Sequence, residues 1–174
     1  MIGKLTSSYA AMIVIVAASN YLVQFPINDW LTWGALTYPI SFLVTELTNR
    51  AFGPALSRRV VYIGFVWAVL VSIWLATPKI ALASGSAFLV SQLLDIYIFN
   101  RLRQTTWWYG PFYSSLLASL IDTVIFWNIA FYGENVPLFT LALGDFGVKL
   151  VLDIAMLTPF RLAMRKVPLL VRAP

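Results

Sequence analysis

The sequence predicts an all-α integral-membrane protein with six transmembrane helices. Three observations carry that prediction. The 174-residue chain is 60% hydrophobic and only 11% charged, which leaves too few polar side chains to cover a water-exposed surface. Six apolar stretches are each long enough to cross a hydrocarbon core, which takes roughly 20 helical residues. Short segments rich in Gly, Pro, Asn and Asp separate them,. Together these features use nearly the whole length, so residues 1–174 read as one transmembrane domain.

The first crossing is read over 8–25 and ends at Pro26, Asn28 and Asp29. The second, over 31–50, contains Pro39, which frees a backbone carbonyl and is expected to kink the helix or expose a polar group,. Gly53 and Pro54 close it. The third, over 60–77, stops at Thr77-Pro78, and the fourth runs over 80–101. Gly110-Pro111 opens the fifth, over 111–132, and the segment Gly133 to Pro137 leads into the sixth, over 138–161. Trp30, Trp33, Trp107 and Trp108 fall at the expected interfaces, where aromatic belts form,.

Basic residues set the orientation. Lys4 precedes the first helix, Arg50, Arg58 and Arg59 mark the second connection, Arg101 and Arg103 the fourth, and Arg161, Arg165, Lys166 and Arg172 follow the last helix. The positive-inside rule makes those segments cytoplasmic, with both termini inside. The formal net charge of +5 therefore points to membrane topology rather than to nucleic acid.

Composition also excludes chemistry. The chain has neither cysteine nor histidine, which removes thiol redox work and the usual zinc ligands and general base. No phosphate-binding glycine motif is present,. The expectation is a protein that is not an enzyme, with no catalytic residue, no metal and no cofactor, whose energy comes from an ion gradient or another subunit.

Carboxylates inside the apolar stretches carry the functional signal. A charge near the bilayer centre costs roughly 2.5–3.5 kcal/mol on insertion scales, so it persists where it meets a partner, a cavity or a solute path. Counting about 1.5 Å per residue, Asp122 and Lys149 both fall near the midplane, with Asp145 on the outer side of it. Asp145, Lys149 and Asp153 follow at i, i+4 and i+8 on one stripe, an arrangement that also suits a self-neutralising ladder,. Glu46 and Asp95 lie nearer the cytoplasmic side, where Arg50 and Asn100-Arg101 could satisfy them as interface anchors, and Gln92 precedes Asp95 by one turn,. Ala83, Ala87 and Ser91, like Ser114, Ala118 and Asp122, recur every four residues and turn Asp95 and Asp122 toward the interior,. At the outer end of the first helix Asn20 and Gln24 lie beside Trp33, a combination suited to a flat heterocycle.

Several stretches resemble the queuosine-precursor transporters, the VUT family. They are Ser19-Asn-Tyr-Leu-Val-Gln24, Thr32-Trp-Gly-Ala35, Phe42-Leu-Val-Thr-Glu-Leu-Thr48 with Arg50 and Phe52-Gly53, Gln92-Leu-Leu-Asp95, Phe99-Asn-Arg-Leu-Arg103, Trp107-Trp108, Asp122-Thr123 with Ile129-Ala-Phe131, and Asp145 with Lys149. They span almost the whole chain in the family's order.

The resemblance implies a bacterial inner-membrane importer of 7-deazaguanine bases, 7-cyano-7-deazaguanine or 7-aminomethyl-7-deazaguanine, salvaged into the tRNA nucleoside queuosine. It implies a fold similar to the S-components of energy-coupling-factor transporters, in the lipid bilayer, with an energising module or a homo-oligomer as further partners. By the same resemblance Asp122 or Glu46 would hold the guanine-like edge, Gln92 or Asn20 would add hydrogen bonds, and an aromatic ring would stack. The chain departs from the family pattern at Glu46, Ser91 and Ser119 and in a short third connection. Those departures keep open uptake of another flat nucleobase-like or vitamin-like solute. A non-transporting assembly partner is the remaining alternative.

Overall fold

The computed structural model describes residues 2–22, 25–28, 31–75, 77–134 and 137–166. Within them the apolar runs form α1 (Ile2–Leu22), α2 (Trp33–Thr37), α3 (Ile40–Phe52), α4 (Pro54–Leu75), α5 (Pro78–Leu102), α6 (Tyr109–Ala130) and α7 (Leu138–Met164). A short antiparallel hairpin, β1 (Pro26–Asn28) with β2 (Leu31–Thr32), lies between α1 and α2.

The expected second crossing is divided. Proline has no N–H, and its ring disfavours helical geometry in the residue before it. The chain therefore turns at Tyr38-Pro39, with the Ser41 N–H donating to Tyr38 O and the Phe42 N–H to Pro39 O. The other helices differ from expectation mainly at their ends. Pro54 and Pro78 start α4 and α5 because a first-turn proline loses no helical hydrogen bond,. Thr77 caps α5 by accepting from the Ile80 N–H, and Gly53, at φ 84°, ends α3 in a conformation that favours glycine,.

Among the described residues four helices, α1, α4, α5 and α6, are long and apolar enough to cross a membrane. The 27-residue α7 has the length but carries Asp145, Lys149 and Asp153. Solvent exposure is inverted relative to a water-soluble protein. Trp74 is 88% exposed and Ile73, Leu82 and Val151 stand outside, while Glu46, Gln92, Asp95, Asp122, Lys149 and Asp153 are buried. Apolar side chains facing outward and polar ones facing inward suit a surrounding of lipid.

The apolar core joins α1, α4 and α5 through Met12, Val16, Val60, Val61, Ala68, Phe88 and Ile96. Gly64 permits close approach there, since a Cβ on it would lie 2.6 Å from Met12 Cγ. Along the other side, α5 packs extensively on α6, and α6 on α7. This second seam holds the polar groups.

Candidate functional site

Helix α6 presents a polar stripe to the interior. Ser114, Ser115, Ser119, Asp122 and Thr123 are all buried, and their spacing of three and four residues aligns them on one face. Opposite them α7 contributes Asp145, Lys149 and Asp153 on a single stripe,.

Lys149 lies at the centre. Its Nζ donates to Asp122 Oδ2 at 2.8 Å, Asp145 Oδ2 at 2.6 Å and Thr123 Oγ1 at 3.0 Å. Three acceptors use all three ammonium N–H donors. Thr123 in turn donates to Asp145 Oδ2 at 2.9 Å. The second oxygen of Asp122, Oδ1, accepts from the Tyr38 hydroxyl at 2.9 Å and from Ser91 Oγ at 3.3 Å. Ion pairing holds one oxygen of Asp122, and neutral hydroxyls hold the other. On Oδ2 the hydrogen bond is also an ion pair with the ammonium, whereas on Oδ1 the donors carry no charge, so the Oδ1 side is the more easily exchanged.

The structure brings together three of the residues that the sequence singles out, Asp122, Asp145 and Lys149, in one network. Gln92 lies elsewhere: its amide accepts from Thr45 Oγ1 at 2.6 Å and donates to Ser41 Oγ at 2.8 Å, tying α5 to α3. Glu46 faces α6, where its Oε1 accepts from Ser115 at 2.8 Å and Ser114 at 3.3 Å. Both oxygens of Asp95 are buried without a hydrogen bond. No arginine donates to Asp95, and Arg101, which could have anchored it, lies over the Tyr97 ring. Arg103 donates to the carbonyls of Asn49 and Arg50 at the end of α3 and to Asn100 Oδ1. The free carbonyls of a helix C-terminus attract a cation.

Of the outer residues, Asn20 and Trp33 take no part in the hydrogen bonds around Asp122. Asn20 Nδ2 donates to Ala68 O at 3.5 Å, toward α4. Trp33 is half exposed at the start of α2. Gln24 and Trp30 lie outside the described residues.

Tyr38, Ser91 and Thr123 are partners of the central network that the sequence reading did not assign to it. A tyrosine immediately before a helix-breaking proline is the one local sign for Tyr38. Nothing near Ser91 or Thr123 in sequence points to carboxylates on other helices.

A family model described as "Putative vitamin uptake transporter" matches residues 32–164. A Haemophilus influenzae protein named "Probable queuosine precursor transporter" is 34% identical, over 91% of this chain and 87% of its own. The Escherichia coli "Queuosine precursor transporter" is also 34% identical, over 84% and 80%. A Bacillus subtilis relative, named as a probable queuosine precursor transporter, is 28% identical over 59% and 57%. No solved structure matches the chain. Since the family model spans the network from Tyr38 to Lys149 and the relatives cover most of the chain, this is a multi-pass membrane protein of the vitamin uptake transporter (VUT) family.

Proposed function

We propose that the protein imports queuosine precursors, the 7-deazaguanine bases 7-cyano-7-deazaguanine or 7-aminomethyl-7-deazaguanine, for salvage into tRNA modification. The relatives bear that name. One observation carries the assignment of the site: a buried carboxylate, Asp122, with one oxygen fixed by Lys149 and the other held only by hydroxyls. A guanine-like edge presents adjacent N–H donors, which a carboxylate can accept. These donors would replace Tyr38 and Ser91 on Asp122 Oδ1, while Lys149 keeps the carboxylate oriented through Oδ2. The protein acts as a transporter rather than an enzyme.

The same reading places the protein in the bacterial inner membrane with both termini in the cytoplasm, because Arg50, Arg58, Arg59, Arg101, Arg103, Arg161, Arg165 and Lys166 gather at one side of the connections,. It also keeps the expected likeness to S-components, an energising module or homo-oligomer, and the outer residues Asn20, Gln24 and Trp33 as an entry region for a flat ring. The family model's description favours a second reading, uptake of a vitamin-like solute at the same carboxylate.

The test is the queuosine content of tRNA in a bacterium that lacks both precursor synthesis and its own importer, expressing this chain and fed each base at low concentration. Restored queuosine from one base, abolished by Asp122→Asn, supports importer and site together. No restoration from either base, with the protein folded in the membrane, would remove the queuosine reading in favour of the vitamin-like solute.

A further inference from the structure

The chain has seven acidic residues, and five of them, Glu46, Asp95, Asp122, Asp145 and Asp153, lie within α3, α5, α6 and α7. Asp122 and Asp145 share Lys149. None of the ion pairs found among the described residues involves Glu46, Asp95 or Asp153. Helix α6 gathers them: Glu46 and Asp153 take hydroxyls one turn apart on it, Ser115 and Ser119, and Asp95 follows by one turn of α5 the Ser91 that meets Asp122,. All three are buried.

Their hydrogen bonds come from hydroxyls alone. Ser119 donates to Asp153 Oδ2 at 2.8 Å, and Ser115 and Ser114 donate to Glu46 Oε1. Asp95 is fully buried, and both of its oxygens lack a hydrogen bond. The Ser114 hydroxyl is directed to Glu46 and to Pro111 O. An unpaired buried carboxylate is strongly unfavourable, whereas a proton converts one oxygen into a donor that a neighbouring carboxylate can accept. Among the described residues no three acidic groups converge closely enough to hold a metal ion. A proton needs no such cage.

We propose that Glu46, Asp95 and Asp153 form a proton-binding site, distinct from the Asp122 site, whose loading and release couple a proton gradient to solute uptake. The coupling rests on the importer reading above.

On α7, Lys149 lies one turn from Asp153, about 6 Å along the helix,. On α6, Asp122 lies three residues beyond Ser119, the donor to Asp153. At the arginine-bearing end, Arg50 closes α3, and Arg103 is held at the carbonyls of Asn49 and Arg50. Lys149 is thus shared between two functions. When the proton leaves the cluster, Asp153 draws on Lys149 and weakens its hold on Asp122. When the proton arrives, Lys149 returns to Asp122. Solute affinity and proton occupancy are linked through one ammonium group.

The test combines a solute-free measurement with a transport measurement on the full chain in lipid vesicles. Infrared titration of the carboxylic C=O stretch is expected to show a protonated carboxyl in the wild type at neutral pH. The band should diminish in Asp95→Asn or Glu46→Gln. With the vesicle interior one pH unit more alkaline, the wild type should accumulate a 7-deazaguanine base up to about tenfold for one proton per solute. In Asp95→Asn the ratio of accumulation to exchange should fall toward one. The proposal is overturned by a wild type without the band, by a band unchanged in both variants, by wild-type accumulation in Asp95→Asn, or by accumulation that follows a sodium gradient instead. Absence of base exchange in the wild type removes the importer reading, and the infrared result then decides the proton site alone.

Discussion

The Tyr38 hydroxyl donates to Asp122 Oδ1 at 2.9 Å, joining the break between α2 and α3 to the middle of α6 across 84 residues of sequence. If solute displaces this hydroxyl, Tyr38→Phe removes a competitor. The variant should bind a 7-deazaguanine base as tightly as the wild type or up to about tenfold more tightly, given a net worth of about 1.5 kcal/mol for a hydrogen bond to a charged group. Asp122→Asn should weaken binding about a hundredfold by losing charge-assisted acceptance. Titration calorimetry on purified protein checks both. Equal weakening in the two variants would mean that Tyr38 holds the solute rather than yielding to it.

Lys149 compensates two carboxylates at once, the buried Asp122 and the partly buried Asp145. Its removal in Lys149→Met leaves them facing each other and should lower stability by about 3 kcal/mol or more. Adding Asp145→Asn should recover part of that loss, because one fewer uncompensated charge remains. Thermal unfolding in detergent measures the pair, and a double variant no more stable than the single would contradict the shared-lysine arrangement.

The two serines that serve Glu46 are unequal, at 2.8 Å from Ser115 and 3.3 Å from Ser114. Ser115→Ala should therefore destabilise by about 1–2 kcal/mol, and Ser114→Ala by less. The reverse order in unfolding experiments would place the stronger donor on Ser114.

An ion pair at the opposite end gives the contrast. Lys79 Nζ lies 2.8 Å from Glu134 Oε1, with side chains 41% and 47% exposed. Glu134→Gln should change stability by no more than about 0.5 kcal/mol. Uptake in the complementation assay should be unaffected.

Much of the fold was legible locally. The proline and glycine punctuation at Gly53-Pro54, Thr77-Pro78 and Gly110-Pro111 marks helix ends because each acts through its own backbone. Pro39 was legible as a perturbation but not in its extent. Whether a proline kinks or divides a helix depends on what packs around the freed groups, and here α2 ends in a turn that carries Tyr38 to Asp122. The site was partly legible for the same reason. Asp145 and Lys149 lie four residues apart on one helix, so their pairing follows from helical geometry,.

By itself the sequence determined that the chain crosses a membrane, since length and hydropathy act independently of tertiary contacts, and that charges at those depths need partners. It also placed Asp122 and Lys149 at a common depth, because helical rise converts residue number into distance. Only the tertiary structure decided which carboxylates share a cation. Helix rotation about its own axis, and the order in which helices pack, determine which stripes meet, and neither is encoded in the spacing of one segment. That is why Asp122 meets Lys149 and Tyr38, while Glu46 and Asp153 meet only the hydroxyls of α6 and Asp95 is left without a donor.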